Sequence, residues 1–172
     1  MNKDYLMYYN DFFLKKIPFS FFKEEIKDYI ENANKNEIEE FYDYTTDNSF
    51  FEYDSDMVML TYLYLWVIDN TFKNNFPLTG SDNMFLSFIR SLFNDYDDFK
   101  DEAILTINNL NYEIYKLKDI YLIINTSDVD LSVNVPKELE NTKCFCINCN
   151  DEIEIESIVD IYPYGFMLIK KN

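Results

Sequence analysis

Tyr112-Glu113-Ile114-Tyr115-Lys116-Leu117, the break Lys118-Asp119, and then Ile120-Tyr121-Leu122-Ile123-Ile124-Asn125 form the stretch that decides the fold. Both runs are built from β-branched and aromatic residues, which suit a pleated surface buried on at least one side. The short polar break between them predicts a turn and an antiparallel pair. Working outward, Ala103 to Ile107 supplies a further strand before the pair. Asp128 to Val135 alternates, with Val129, Leu131, Val133 and Val135 on one face. Ile153 and Ile155 alternate with Glu152, Glu154 and Glu156, and Tyr164 to Lys170 closes the chain. Residues 103–172 therefore read as an antiparallel sheet or small sandwich.

Before residue 103 the apolar period changes from two to about 3.6, the helical value. Tyr5 to Lys16 is an aromatic-rich helical stretch that stops at Ile17-Pro18, since proline disfavours helix in the residue before it. Ser20 is placed to cap the next helix, whose stripe is Phe22, Ile26, Tyr29, Ile30 and Ala33. Asn36 is placed to cap a shorter helix with Ile38, Phe41 and Tyr42 inward, and Thr45 to Ser49 reads as a polar break. A helix starting at Asp54, Ser55 or Asp56 runs through Phe72 and is apolar nearly all round from Met57 to Ile68, the pattern of a helix at the centre of a bundle. Lys73 to Gly80 is a loop. Ser81 or Asp82 caps a last helix with Met84, Phe85, Phe88, Ile89, Leu92 and Phe93 inward. The fold class is thus α+β: an N-terminal helical bundle over residues 1–102 followed by a small antiparallel β region over 103–172, the two expected to form one compact unit.

Residues 113–171 resemble the C-terminal β-domain of alpha-amylase-family glycosidases. The matching features are Ile120-Tyr121-Leu122-Ile123-Ile124-Asn125-Thr126-Ser127, the alternating strand ending at Val135-Pro136, and Pro163-Tyr164-Gly165 before Phe166-Met167-Leu168. The resemblance implies a fold for this third of the chain. It implies no glycosidase activity, because the catalytic barrel and its motif histidines are absent.

Histidine is missing altogether. That removes Ser-His-Asp and Cys-His triads, the usual near-neutral general base and the commonest metal ligand. Two glycines in 172 residues exclude glycine-rich phosphate loops, which need several residues free to adopt positive φ. Asp95, Asp97 and Asp98 lack the glycine and the distal glutamate of a calcium loop. The expectation is that the chain is not an enzyme and needs no cofactor. Cys144, Cys146 and Cys149 leave three readings open: packing in the sheet as small hydrophobes, three of the four ligands of a zinc site completed from elsewhere, or a Cys146/Cys149 redox pair. Being odd in number and clustered, they do not make a disulfide framework.

The chain carries 32 acids against 15 bases, a net charge of −17, and Arg90 is its single arginine. Such a surface repels nucleic acid and anionic membrane and steers towards basic partners. The longest apolar run is too short to span a bilayer, and Met1-Asn2-Lys3-Asp4 begins no secretory signal, so the cytoplasm of a bacterium or of a phage-infected cell is the expected compartment. The acidity concentrates in two base-free stretches. The first holds Glu37, Glu39, Glu40, Asp43, Asp47, Glu52, Asp54 and Asp56, with Phe50, Phe51 and Tyr53 interleaved. Carboxylates beside aromatics suit the capture of Arg and Lys by charge-assisted hydrogen bonds and cation–π contact. The second stretch, Cys144 to Ile169, holds Asp151, Glu152, Glu154, Glu156 and Asp160. The partner surface is expected at Glu37, Glu39, Glu40, Asp43, Asp47, Glu52, Tyr53, Asp54 and Asp56. Its expected target is a basic protein, a nucleic-acid-handling enzyme blocked by an acidic inhibitor of the anti-CRISPR or other anti-defence kind. An immunity protein for a nuclease toxin, a metal-assembled module, and a carbohydrate- or subunit-binding accessory protein are the alternatives.

Overall fold

The computed structural model describes residues 8–9, 11–12, 14–49, 55–68 and 84–172, with the backbone alone at 42 and 44–49. Helices fill the first half and antiparallel strands the second, an α+β arrangement. The chain divides into two compact units, Met1–Asp101 and Glu102–Asn172.

In the first unit, helix α1 spans Phe19–Asn32 and buries Phe19, Phe22, Ile26, Tyr29 and Ile30. The Phe12 ring stacks on Phe22 at 4.5 Å between centroids. The helix starts one residue before the expected Ser20 cap. Pro18 stands at the N-cap, with extended backbone and no side-chain bond, and its carbonyl accepts from the amides of Phe21 and Phe22. Proline's fixed φ prepares the chain for the first turn, which leaves Ser20 inside the helix. Helix α2 spans Lys35–Ser49, so the expected break at Thr45 to Ser49 is helical instead. The low helix propensity of Thr, Asp, Asn and Ser is a weak bias, and continuation of an established helix outweighs it. Helix α3, Ser55–Leu63, continues as a π-helical turn over Tyr64–Ile68. From Met57 to Val67 every described side chain but Met59 is buried, as the all-round apolar pattern predicts.

Helix α4 spans Met84–Phe93 and buries Phe85, Leu86, Ile89 and Phe93. Met84 and Phe88, expected inward, are exposed. The buried set recurs at i, i+1, i+4 and i+8, and at about 3.6 residues per turn Met84 and Phe88 fall on the far side of it. Helix α5 is the single turn Phe99–Glu102. The expected caps at Asp54, Ser81 and Asp82, the end of the third helix near Phe72, and most of the Tyr5–Lys16 stretch lie outside the described residues.

The second unit has eight strands: β1 Ile104–Asn108, β2 Tyr112–Leu117, β3 Ile120–Asn125, β4 Leu131–Asn134, β5 Thr142–Cys146, β6 Asp151–Ile155, β7 Ile158–Ile161 and β8 Phe166–Lys171. One sheet has the order β1-β2-β3-β8-β5-β6, and β4 and β7 form a two-stranded ribbon. Every pairing is antiparallel. Both strands of the opening stretch appear with the bounds read from the sequence. The expected long strand at Asp128 to Val135 is shorter: only Leu131–Asn134 pairs, and Val129 is exposed. β5 and β7 were not expected as strands. The core gathers Ile114, Tyr121, Ile123, Cys144, Ile155 and Ile169 from the sheet with Val133 and Ile161 from the ribbon.

Buried Asn125 ties this unit together. Its amide nitrogen donates to the carbonyls of Val129, Ile161 and Tyr162 at 2.7, 3.1 and 3.0 Å, and its oxygen accepts from the amide and hydroxyl of Ser127. One side chain thereby serves the end of β3, the approach to β4 and the turn into β8. In that turn Tyr164 has φ of 55°, and a Cβ on Gly165 would meet the Tyr162 ring at 2.6 Å, so a larger residue there requires that exposed ring to move.

Candidate functional site

The N-terminus of α2 is built by a reciprocal cap. Asn34 Oδ1 accepts from the amides of Asn36 and Glu37 at 3.0 and 3.1 Å, and Glu37 Oε2 accepts from the Asn34 amide at 3.0 Å. This capping box satisfies donors that the first turn leaves free. The cap is therefore Asn34, two residues before the expected Asn36, because its side chain reaches amides two and three positions on. The arrangement also reassigns Glu37, whose carboxylate is engaged at the helix start and only half-exposed.

Ile38 and Phe41 anchor α2, and the Phe41 ring meets Tyr9 and Tyr29. The Tyr29 hydroxyl donates to the Glu37 carbonyl at 3.1 Å, joining α1 to α2. Opposite this anchorage Glu39, Glu40 and Asp43 are exposed. Glu39 and Asp43 are like charges at i and i+4, an arrangement that costs roughly 0.2–0.5 kcal/mol. Lys35 approaches Glu39 at 3.7 Å, so a base from just outside the base-free stretch reaches into it. Asp47 lies on α2 with its side chain outside the described residues. Glu52, Tyr53 and Asp54 also lie outside them. Asp56 stands in the first turn of α3 and is half-buried. The described structure thus brings together Glu39, Glu40 and Asp43, turns Glu37 to capping, and sets Asp56 on a different helix.

Helix α1 carries a second row that the sequence reading passed over. Glu24, Asp28 and Glu31 are all exposed, at i, i+4 and i+7, opposite the buried Phe22, Ile26, Tyr29 and Ile30. Their spacing is legible in the sequence. They escaped notice because Lys23 and Lys27 interrupt the acidic run, although the helical period puts the three carboxylates on one face. The Lys23 ammonium lies over the Tyr64 ring at 5.3 Å, drawn towards the core side of the helix.

In the β unit the second base-free stretch is not isolated from cations either. β5 and β6 pair so that Lys143 stands directly across from Glu154. Asn141, Glu154, Glu156 and Ser157 line an open depression of about 430 Å³. Asp160 accepts from the Ser132 hydroxyl at 2.6 Å. All six lysines of this unit lie where β2, β5 and β8 reach the same end of the sheet. There Lys116 binds Glu138 at 2.9 Å and crosses the Tyr121 ring at 5.2 Å. The hydrogen bond from Lys116 holds the Glu138 carboxyl below its usual value and lifts the Lys116 ammonium above its own. Burial raises the Tyr121 phenol.

The cysteines divide. Cys144 is a buried free thiol in the sheet core, as the small-hydrophobe reading expects. Cys146 and Cys149 form a disulfide across the β5–β6 turn, with Cα atoms 5.2 Å apart, within the usual range. These are the two residues that the redox-pair reading singled out: the turn folds a C-x-x-C spacing back on itself. Among the described residues no three or more Cys, Asp or Glu side chains gather as metal ligands.

No family profile and no curated protein matches the chain. Among solved structures it is similar to parts of glycosidases. An alpha-amylase from Geobacillus thermoleovorans in complex with acarbose is 10% identical at a TM-score of 0.49, covering 77% of this chain and 36% of that one. A putative alpha-galactosidase/melibiase from Bacteroides fragilis is 11% identical at 0.47, covering 68% and 28%. An Anoxybacillus alpha-amylase is 10% identical at 0.44, covering 66% and 32%. The likeness is partial. The chain spans at most 36% of the length of these glycosidases, and similarity at this level assigns no activity. Among the described residues no helix is long and apolar enough to cross a membrane.

Proposed function

We propose that this chain is a binding protein and not an enzyme, and that the acidic face of its helical unit occupies a basic surface on a nucleic-acid-handling enzyme. The observation that carries the reading is the pair of carboxylate rows, Glu24, Asp28 and Glu31 on α1 and Glu39, Glu40 and Asp43 on α2. Each row stands opposite the buried stripe of its own helix, so its charges are held outward by packing. Rows of fixed negative charge compete with a phosphate backbone for the same lysines and arginines. The absence of histidine and the single arginine in the chain fit a surface that complements a partner more readily than a reaction centre. An anti-defence inhibitor, of which anti-CRISPR proteins are one kind, acting in the cytoplasm of an infected bacterium, is the biological setting that this chemistry suits.

The test is capture from nuclease-treated bacterial lysate at about 0.05 and about 1 M salt, where the Debye length falls from over 10 Å to about 3 Å. The wild-type chain is compared with one carrying Glu24→Gln, Asp28→Asn, Glu31→Gln, Glu39→Gln, Glu40→Gln and Asp43→Asn. A basic nucleic-acid-binding protein is recovered at low salt by the wild type alone, and nucleic acid added back displaces it. Recovery of no basic protein, or equal recovery by both chains, rejects the proposal.

A further inference from the structure

The β5–β6 hairpin turns through Ile147-Asn148-Cys149-Asn150, and the disulfide lies at its tip. Its two cysteines have unlike surroundings. Cys146 is fully buried at the end of β5, whereas Cys149 is exposed. The bond therefore runs from the sheet out to solvent. Cys144, on the same face of β5, is a buried thiol and takes no part in it.

The turn holds its shape by other means. Asn148 docks it on β8: its amide nitrogen donates to the Phe166 carbonyl at 3.1 Å, and its oxygen accepts from the Leu168 amide at 2.8 Å. The Ile147 amide donates to the Leu168 carbonyl at 2.8 Å, and the Asn150 amide closes the turn on the Ile147 carbonyl at 3.3 Å. Asn150 takes a positive φ of 53°, which asparagine tolerates better than most residues. None of these bonds uses a sulfur. The disulfide itself joins residues only three apart in sequence, and the chain entropy that a cross-link removes shrinks with the loop it closes. The cross-link thus adds little to a turn already fixed, and it can open while the turn stays closed.

We propose that Cys146 and Cys149 are a reversible redox site, a disulfide that dithiols reduce in the folded protein and that re-forms on oxidation. A thiolate of the dithiol attacks Cys149 Sγ, the sulfur at the surface. A bond forms between the two, the Cys146–Cys149 bond breaks, and Cys146 leaves as a thiolate that takes a proton from water. Cys146 Sγ lies 3.6 Å from Asn148 Oδ1, so the new S–H has an acceptor in place. The dithiol's second thiolate then attacks the dithiol's own sulfur in the mixed disulfide and releases Cys149, which is protonated in turn. The protein gains two electrons and two protons, and the dithiol departs oxidised to a disulfide. A disulfide oxidant runs the same steps backwards. The site uses none of the carboxylates of α1 and α2, so it stands or falls independently of the proposed partner surface.

The experiment treats the oxidised full chain with increasing dithiothreitol in the absence of denaturant. Aliquots are quenched in acid and weighed, since reduction adds two hydrogens, and parallel aliquots receive a pulse of iodoacetamide that labels accessible thiols. The disulfide is reduced at a rate that rises in proportion to dithiothreitol. Cys149 is labelled, Cys144 stays unlabelled until denaturant is added, and the circular dichroism of the reduced chain matches that of the oxidised one. Oxidised glutathione then restores the Cys146–Cys149 bond. Single variants locate the entry sulfur. Cys146→Ser, which leaves the exposed Cys149, takes up glutathione from its disulfide at least about tenfold faster than Cys149→Ser, which leaves the buried Cys146. Labelling of Cys144 in step with reduction, or a rate that ceases to rise with dithiothreitol, marks reduction through unfolding and overturns the proposal. So does a reduced chain that loses its sheet, one that does not re-form the bond, or equal glutathione uptake by the two variants.

Discussion

The two units of the chain handle charge differently. Up to Asp101 there are 20 acidic and nine basic residues, a net of −11; beyond it there are 12 and six, a net of −6. In the helical unit the period of the helix sorts charge by face, so carboxylates line up on the solvent sides of α1 and α2. In the β unit charge is sorted by position along the strands. Lysines collect at one end of the sheet, acids guard the β6 edge, and the β1 edge is left bare. A helical face of fixed carboxylates suits a basic partner and weakens with salt. Salt dependence therefore reports on the helical unit.

The largest effect is expected in the β unit, from a buried residue outside the proposed partner surface. Asn125→Ala removes five hydrogen bonds at a buried site and leaves the Ile161 carbonyl without its side-chain donor. Buried polar groups left unmade cost about 1–3 kcal/mol each, so a loss of about 3 kcal/mol or more is expected in urea unfolding, with amide exchange accelerating first in β3 and β7. Partner capture per folded molecule stays unchanged. Next comes the six-fold amide variant of the α1 and α2 rows, which lowers affinity for the captured partner by about 100-fold, or about 2.7 kcal/mol. Unchanged affinity in this variant would break the assignment of binding to the helical face.

How much of this was legible follows from the same contrast. β2 and β3 were read with their bounds because most side chains on both faces of these central strands are buried, and their aromatic and β-branched residues are bounded by a short polar break. β5, Thr-Lys-Cys-Phe-Cys, escaped because its core face is made of Thr142, Cys144 and Cys146, small residues without a strong strand signature. The caps failed for a geometric reason. Several polar residues near each helix start are eligible, and only the fold shows that Asn34 and Glu37 satisfy each other. The candidate acidic site was half legible. Glu39, Glu40 and Asp43 were found by counting charges, and Glu24, Asp28 and Glu31 were missed by counting charges, since Lys23 and Lys27 mask a row that the helical period reveals.

Two smaller effects sharpen the comparison. Asn34→Ala removes one half of the capping box and costs α2 about 1 kcal/mol in urea unfolding, well below Asn125→Ala. The Lys116–Glu138 pair contributes less again, under about 1 kcal/mol, because both side chains are partly in solvent. Its pH dependence has a definite sign. Glu138 is held below its ordinary value of 4.5, so its contribution is present above that value and is lost as pH falls through the lower folded value. Lys116 is raised above 10.5 and Tyr121 above 10.0, so their contributions are present below those values and are lost as pH rises through the folded ones. The difference in urea midpoint between wild type and Glu138→Gln is therefore constant from about pH 6 to 9 and shrinks below about pH 4.

The carboxylate rows of α1 and α2 are proposed as the partner surface. The most direct measurement is the dissociation constant for the captured partner from about 0.05 to about 0.5 M salt, for the wild type and for Glu39→Gln/Glu40→Gln/Asp43→Asn. Affinity of the wild type falls steeply as salt rises, and the variant starts weaker and falls with a shallower slope. Equal slopes for the two proteins would contradict the account.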